Sequence, residues 1–569
     1  MDAPASLRRL IAALLVVRAS GHLLDSQRRY PQWELPNAEL RQLLDQGVGG
    51  VILLGGSAPE VALRCEQLQS WARLPLLRCA DVEEGVGQRF EGASWLPPPL
   101  AIGRLFGKAP QQACALAERH GRCTGREARA LGLNWVLGPV CDVNNNPANP
   151  VINVRAWGED PSTAAALAAA FVRGVRAEGV LSCAKHFPGH GDTSDDSHLA
   201  LPLLPHSRER LNAVELPPFA ACIAAGVDAV MTGHLVLPAL DAERPATLSK
   251  AVLTDLLRHD LGFNGLVVTD ALVMEAISGH YGPAEAAVLA LEAGADLVLM
   301  PADAQAAIHA IAAAVEAGRL SLGQLEASAE RRQRALASLP GPSLPGPSLP
   351  ATSLTTANLI AELETSPAGA LLGDEILPSE ILNSETLISE ILAASLDRQG
   401  GVLAPGPGIN LVRLENLLQA PQAVPRAPAL EAPAALGYRA CLLEPRSPSP
   451  WQSEANAPLA LERLGEGPVL LQLFVRGNPF RGHSAATEPW PAVVGQLQAC
   501  GRLAGVVVYG SPYLWESLQA VLEPTIPAAY SPGQMPLAQA LALASLVQGQ
   551  APEVGVGARD AGIHADFTD

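Results

Sequence analysis

The chain has 569 residues, 48% of them hydrophobic, and a formal net charge of −18; its mean hydropathy is +0.18. That length allows about two to four domains, fewer if one is a large barrel. The acidic balance excludes nucleic acid and anionic membrane surfaces as expected partners, because their phosphates would repel it, and it leaves a small neutral substrate open.

At the start of the chain, Arg8-Arg9 precede an apolar run over 10–17 that Arg18 interrupts. No small-residue cleavage site follows, so the run reads as a first core strand rather than an export signal. No stretch approaches the ~18 apolar residues of a spanning helix. The nine Cys are scattered without C-x-x-C pairs, which suggests free thiols in a reducing compartment. Together these features predict a cytoplasmic protein without membrane insertion. They leave the oligomeric state open.

Eight short apolar runs follow one another through the first 300 residues, at 14–17, 51–54, 76–80, 134–140, 180–184, 228–232, 266–269 and 297–300. Their continuous character suits parallel strands buried on both faces. Helical stretches lie between them. One is capped at Ser162-Thr163 and closed by Gly179; others cover 111–130, 216–225 and 284–293. This alternation predicts an α/β chain opening with a (β/α)8 TIM-type barrel over residues 1–335, with a doubly wound open sheet as the alternative.

After Arg334 the composition changes. Ser-Leu-Pro-Gly-Pro occurs at 338–342 and again at 343–347, and Ser-Glu-Ile-Leu at 379–382 and 389–392. Repeats this short build no core. Residues 336–400 are read as a Pro-rich, repetitive linker and insert, with 366–384 poorly specified and a helix near 385–397. Apolar runs return at 438–443, 469–475 and 506–509, with helices at 459–464 and 490–503. They predict a smaller α/β sandwich domain over 401–569.

Several barrel strands end in a polar group. Asp81 follows the third, Asp142 the fourth, Lys185-His186 the fifth, His234 the sixth and Asp270 the seventh. In a parallel barrel such residues converge on one mouth. Asp270 is either a structural carboxylate or a nucleophile there. His198 stands two residues after Asp196, a spacing that lets a carboxylate orient a His and raise its pKa. His186, His190, Asp192 and His198 are legitimate metal ligands, but H-E-x-x-H is absent and Lys185 would repel a cation. No metal and no cofactor are expected.

The stretch Lys185-His-Phe-Pro-Gly-His-Gly-Asp-Thr193, with Asp196-Ser-His198 and Leu201-Pro202, resembles the signature of family 3 glycoside hydrolases, more narrowly its bacterial exo-β-N-acetylglucosaminidases. The resemblance extends through 142–152, Arg155, Gly158-Glu-Asp-Pro161, Met231-Thr-Gly-His234 and Val268-Thr-Asp270. It implies Asp270 as nucleophile and His198 as general acid/base with Asp196 as its partner. It also implies that Asp81, Arg155, Lys185 and His186 hold the sugar, with Asp142 and His234 supporting the pocket from behind. The implied substrate is a small carbohydrate with terminal β-linked N-acetylglucosamine. The family's Asp-Gln-Glu-Gly-Gly-Arg becomes Asp81-Val-Glu-Glu-Gly-Val86 here, and Arg89 lies three residues on. Phosphorolysis by the same route, a β-glucosidase-like specificity, a metal-dependent hydrolase and a non-catalytic sugar-binding protein are the alternatives.

Overall fold

The computed structural model describes residues 4–193, 201–340, 377–414, 426–443, 464–476 and 488–550. Contacts between Cα atoms divide the chain into two compact units. The first comprises 1–96, 111–146 and 156–384; the second comprises 97–110, 147–155 and 385–569.

All eight predicted strands of the first unit are present: β1 Leu15–Ser20, β2 Gly50–Leu54, β3 Leu77–Ala80, β4 Trp135–Val136, β5 Cys183–Phe187, β6 Ala229–Thr232, β7 Leu266–Val268 and β8 Val298–Leu299. They pair in parallel as a five-stranded ladder, β4-β3-β2-β1-β8, and a three-stranded ladder, β5-β6-β7. The unit is therefore an α/β fold with a curled parallel sheet, which meets the barrel expectation in part. Isolated parallel bridges join Trp135 to Leu181 and Val268 to Leu297.

The break after β4 has a local cause. The chain there runs Gly138-Pro139, and Pro139 has no N–H to give to a ladder. Backbone bonds still climb the seam: Cys183 N–H donates to Gly138 at 2.8 Å and Lys185 N–H to Pro139 at 3.0 Å. Strand β5 also runs further than its apolar signal, so Lys185 and His186 are inside the strand rather than after it.

The predicted helices appear as Pro110–Ala130, Pro161–Ala177, Pro217–Ala224 and Glu285–Ala293. The cap of Pro161–Ala177 lies just before the helix, ahead of the expected Ser162-Thr163. Asp160, not Ser162-Thr163, accepts from the backbone N–H groups of Ser162 and Thr163, at 3.0 and 2.9 Å. Pro110–Ala130 and Pro161–Ala177 approach backbone to backbone. A Cβ at Gly121 would lie 2.3 Å from the Phe171 carbonyl oxygen, and one at Gly174 would lie 2.1 Å from that of Glu118.

In the second unit β9 Asp397–Gln399, β10 Gly408–Leu414, β11 Tyr438–Leu443, β12 Val469–Val475, β13 Leu503–Gly510 and β14 Ala528–Ser531 form one sheet, ordered β11-β10-β12-β13-β14-β9. All pairs are parallel except β9 with β14. Side chains alternate between two apolar layers. Leu471, Leu473, Val506 and Val508 pack under helices Trp490–Ala499 and Pro512–Gln519. Leu470, Val507 and Tyr509 pack under Pro428–Ala435 and Pro536–Gln548. Leu503 opens β13, so the helix expected over 490–503 stops at Ala499. The helix near 385–397 is the end of Leu377–Ser395. The Pro-rich repeats at 341–350, most of the insert and all but the last residue of the helix expected at 459–464 lie outside the described residues.

Among the described residues, no helix is long and apolar enough to cross a membrane.

Candidate active site

The best-built polar cluster of the first unit sits where β3 and β5 end. Lys185 is 2% exposed, and its Nζ lies 2.7 Å from Asp81 Oδ1 and 2.6 Å from Glu83 Oε1. A buried ammonium between two carboxylates is fully satisfied, where one alone would be costly. Burial pushes the Asp81 carboxyl upward, but the Lys185 ammonium and the Arg89 guanidinium outweigh it and hold it below its ordinary value. Asp81 is therefore ionised and partly open to solvent, ready to accept from hydroxyl groups.

Arg89 enters this cluster although the sequence pattern placed it off register. Val86–Gln88 form a tight 3-10 turn, and Arg89 Nε donates to the Asp81 carbonyl at 2.9 Å. The turn folds Arg89 back over Asp81 while Val86 itself is buried in the core. Glu83 is the other residue that sequence reading missed. Its pattern signal, a second acid two residues after Asp81, was present but looked like ordinary loop polarity.

His186, next along β5, is fixed from below. Its Nδ1 lies 2.8 Å from Asp142 Oδ2, and the backbone N–H groups of His186 and His190 donate to Asp142 Oδ1 at 3.2 and 2.7 Å. A carboxylate only accepts, so Nδ1 carries the proton and Nε2 is the ring's other face to the site. Burial pushes Asp142 up, yet His186 and then His190 more than compensate, and its carboxyl lies below the usual value. Asp142 thus orients His186, as a support behind the pocket would. Gly191 allows the return loop to lie against this pair, since a Cβ there would fall 1.8 Å from the Val143 carbonyl oxygen. His190 also bonds the Thr193 hydroxyl at 2.6 Å, and Asp192 bonds His206 at 2.9 Å.

Asp270 stands just past β7, part-buried, with Oδ1 accepting from the Ala271 N–H at 2.7 Å. His234, past β6, tethers the same turn. Its Nε2 lies 3.2 Å from the Ala271 carbonyl, and its Nδ1 lies 2.8 Å from the Thr247 hydroxyl. Strands β5, β6 and β7 pair in parallel and bridge to β4, so the residues at their ends lie along one edge of the sheet. The Cys183 thiol, in β5, is pushed up first by burial; Lys185 opposes that, and the charges of Asp81, Asp228 and Asp270 add to it. Asp81, Lys185, His186, Asp142, His234 and Asp270 thus line the ends of β3 to β7 in one unit. Asp196 and His198 lie outside the described residues. Arg155 is 8% exposed, belongs to the second compact unit, and donates from Nη1 to the Val151 carbonyl at 3.1 Å.

No group of three or more His, Cys, Asp or Glu among the described residues is arranged to hold a metal ion.

Residues 6–335 match the N-terminal domain of glycosyl hydrolase family 3, and residues 404–548 match the bacterial family 3 C-terminal domain. This chain belongs to glycoside hydrolase family 3. Among family members, β-hexosaminidase A of Pseudoalteromonas piscicida is 37% identical over 337 residues, 54% of this chain and 56% of that protein. The match therefore spans little more than half of that relative's length. A β-hexosaminidase of Stenotrophomonas maltophilia (strain K279a) is 40% identical over 49% of this chain and 84% of its own. The family 3 β-N-acetylglucosaminidase structure from Paenibacillus sp. str. FPU-7 superposes with a TM-score of 0.74 at 29% identity, covering 97% of this chain and 98% of that one. Both halves of the family's two-domain architecture are thus represented.

Proposed function

We propose that this family 3 chain is a retaining exo-β-glycosidase that removes terminal β-linked N-acetylglucosamine, or a close N-acetylhexosamine, from cell-wall-derived or chitin-like oligosaccharides. The observation that carries the reading is the Asp81–Lys185–Asp142–His186 cluster sharing one strand-end face with Asp270. An ionised Asp81, a Lys185 ammonium paired with carboxylates and a histidine of fixed tautomer make a donor and acceptor set for sugar hydroxyls. Charged hydrogen bonds of this kind contribute ~1.5–3 kcal/mol each. The β-hexosaminidase relatives support the choice of sugar. We further take the three parallel bridges flanking β5-β6-β7, Trp135 to Leu181, Val140 to Lys185 and Val268 to Leu297, as closing the curled sheet into a (β/α)8 barrel.

In the proposed reaction an Asp270 carboxylate oxygen bonds the anomeric carbon as the glycosidic C–O bond breaks. His198, protonated and partnered by Asp196, gives its proton to the leaving oxygen. Neutral His198 then takes a proton from water, whose oxygen displaces Asp270 from the anomeric carbon. His234 holds the Ala271 turn, so its part is to position Asp270. The nine cysteines are free, which supports a reducing, cytoplasmic setting.

The test is release of the aryl group from an aryl β-N-acetylglucosaminide, with and without chelator and with and without phosphate. Turnover unaffected by chelator, giving free N-acetylglucosamine, is the expected result. Chelator-sensitive release would refute the mechanism, and a sugar 1-phosphate product would convert it to phosphorolysis. Asp270→Ala should abolish turnover. His198→Ala should slow poor leaving groups far more than activated aryl ones, and equal losses would remove His198 from the acid role.

A further inference from the structure

Arg18 has no part in the mechanism above, yet its surroundings are unusual. It is the fourth residue of β1, in register with Ile52, which is in register with Cys79. Residues in register in a parallel ladder point to the same face. Asp81 follows Cys79 by two residues at the end of β3 and so shares its face; the Cys79 thiol is raised first by burial and then by the Asp81 charge. Arg18 therefore lies on the face that carries the Asp81–Lys185 cluster.

The loop that follows β1 wraps this arginine. Its guanidinium carbon stands 5.3 Å from the Tyr30 ring centre and 5.7 Å from that of Trp33, and the two rings stack 5.8 Å apart. Glu34, 1% exposed, is held in the same turn by the Tyr30 N–H, which donates to its Oε2 at 3.1 Å. Arg18 Nε and Glu34 Oε1 are both shut off from solvent without a hydrogen-bond partner, and among the described residues Arg18 makes no ion pair. Burial pulls the guanidinium below its usual value, while Glu34 and Asp81 pull it back up and Arg89 lowers it further.

A guanidinium has five donors; here Nε is withdrawn from water without a partner, which is costly, while Arg18 as a whole is half-buried and its terminal N–H groups are not among the shut-off atoms. Stacking on two aromatic rings offsets only part of that cost. The missing partner has a definable character. Around Arg18 and Asp81, three cations (Arg18, Arg89, Lys185) face three carboxylates (Asp81, Glu83, Glu34). The six charges balance, so the cluster offers an anion no net attraction. A neutral hydroxyl can accept from a cation and donate to a carboxylate at once.

We infer that Arg18 is a specificity-determining residue of the sugar site, its terminal N–H groups donating to a hydroxyl of the non-reducing-end pyranose whose own proton goes to Asp81. Tyr30, Trp33 and Glu34 position it. The inference rests on the hexosaminidase reading and adds one contact to it.

The experiment compares the full chain with its Arg18→Ala variant on an aryl β-N-acetylglucosaminide and on its 3-, 4- and 6-deoxy analogues. Arg18→Ala should raise KM ~10-fold or more with kcat nearly unchanged, the pattern of a contact made equally in ground and transition states. For one deoxy analogue, removing the hydroxyl and removing Arg18 together should cost no more than either alone. Arg18→Lys keeps the charge but not the fork and should fall between. Added guanidinium ion should partly restore Arg18→Ala. If Arg18→Ala fails to fold, Arg18→Lys and Trp33→Ala, which removes half the stack, carry the same comparison. Penalties that multiply for all three analogues, or an unchanged KM in folded variants, overturn the assignment of Arg18 alone. A wild-type chain inactive on every analogue overturns the hexosaminidase reading, and the inference with it.

Discussion

Asp142 shows how one buried carboxylate sets the state of its neighbours. It is fully buried and touches His186 through both its oxygens, one on the ring and one on the backbone N–H. Asp142→Asn keeps the shape but allows the amide to present N–H to Nδ1, which favours the other tautomer of His186. Loss of one charged hydrogen bond and the tautomer change should lower kcat/KM on the order of 10- to 100-fold. Thermal stability should fall less than in Asp142→Ala, which leaves the ring and two N–H groups unanswered. Equal kinetics for wild type and Asp142→Asn would remove Asp142 from the site. At this scale the sequence was informative where polarity interrupts an apolar run: Lys185, His186, Asp81 and Asp270 all stand out that way. Arg18 interrupts a run too, but that interruption served only to argue against an export signal. Its partners Tyr30, Trp33 and Glu34 share no periodicity with it, so only the fold brings them together. Arg89 was hidden for another reason, since a 3-10 turn changes which residue faces back by about one third of a turn per position.

Elements were legible in proportion to their length and apolar continuity. The eight strands of the first unit read directly, because buried parallel strands need no alternation. Strand β10 did not, because its pattern is broken by Asn410 and Arg413. Both are buried, and Asn410 is satisfied only by distant groups: its amide donates to the Ala429 carbonyl at 2.8 Å and its oxygen accepts from Gln472 at 2.7 Å. The internal glycines of Pro110–Ala130 weaken a helix by local preference, and their reason is tertiary. Gly121 faces the backbone of Pro161–Ala177 at Phe171 and Val175. Gly121→Ala therefore sets two effects against each other. Helix propensity favours Ala by ~1 kcal/mol, while a Cβ 2.3 Å from a carbonyl oxygen forces the helices apart. Overpacking costs ~1–3 kcal/mol or more, and the contact atoms here are backbone, which cannot rotate away. The variant should be less stable than wild type by chemical denaturation. Gly107→Ala, at a position where the added Cβ meets nothing, serves as the control. A stabilised Gly121→Ala would show that these two helices are not in contact at that point.

Titration links the first unit's stability to pH in two opposing ways. Burial raises three of its carboxyls, Glu66, Glu215 and Asp228, above their ordinary values. Their ionised forms oppose folding at neutral pH, and that cost disappears as pH falls through their raised values. Six others end below their ordinary values: Glu60, Asp81, Asp142, Asp160 and Asp241 are raised by burial but lowered more by hydrogen bonds and nearby cations, and the exposed Glu209 is lowered chiefly by its hydrogen bond with Ser207. Their stabilising effect is fully present above the ordinary carboxylate range, about pH 4, and is lost as pH falls through the lowered values. The expected profile therefore rises slightly from pH 7 toward about 5 and falls steeply below about 4. Thermal melts of the full chain across this range check the shape. Hydrogen exchange, corrected for its intrinsic pH dependence, locates the acid loss. Peptides covering β3 and β5 should lose protection as pH drops below about 4, because Asp81 and Asp142 hold Lys185 and His186 there. Peptides of β12 and β13 should keep theirs over the same interval, since among the described residues no lowered carboxyl belongs to the second unit. Stability that fell steadily from pH 7, or protection lost first from β12 and β13, would contradict the balance of raised and lowered carboxyls.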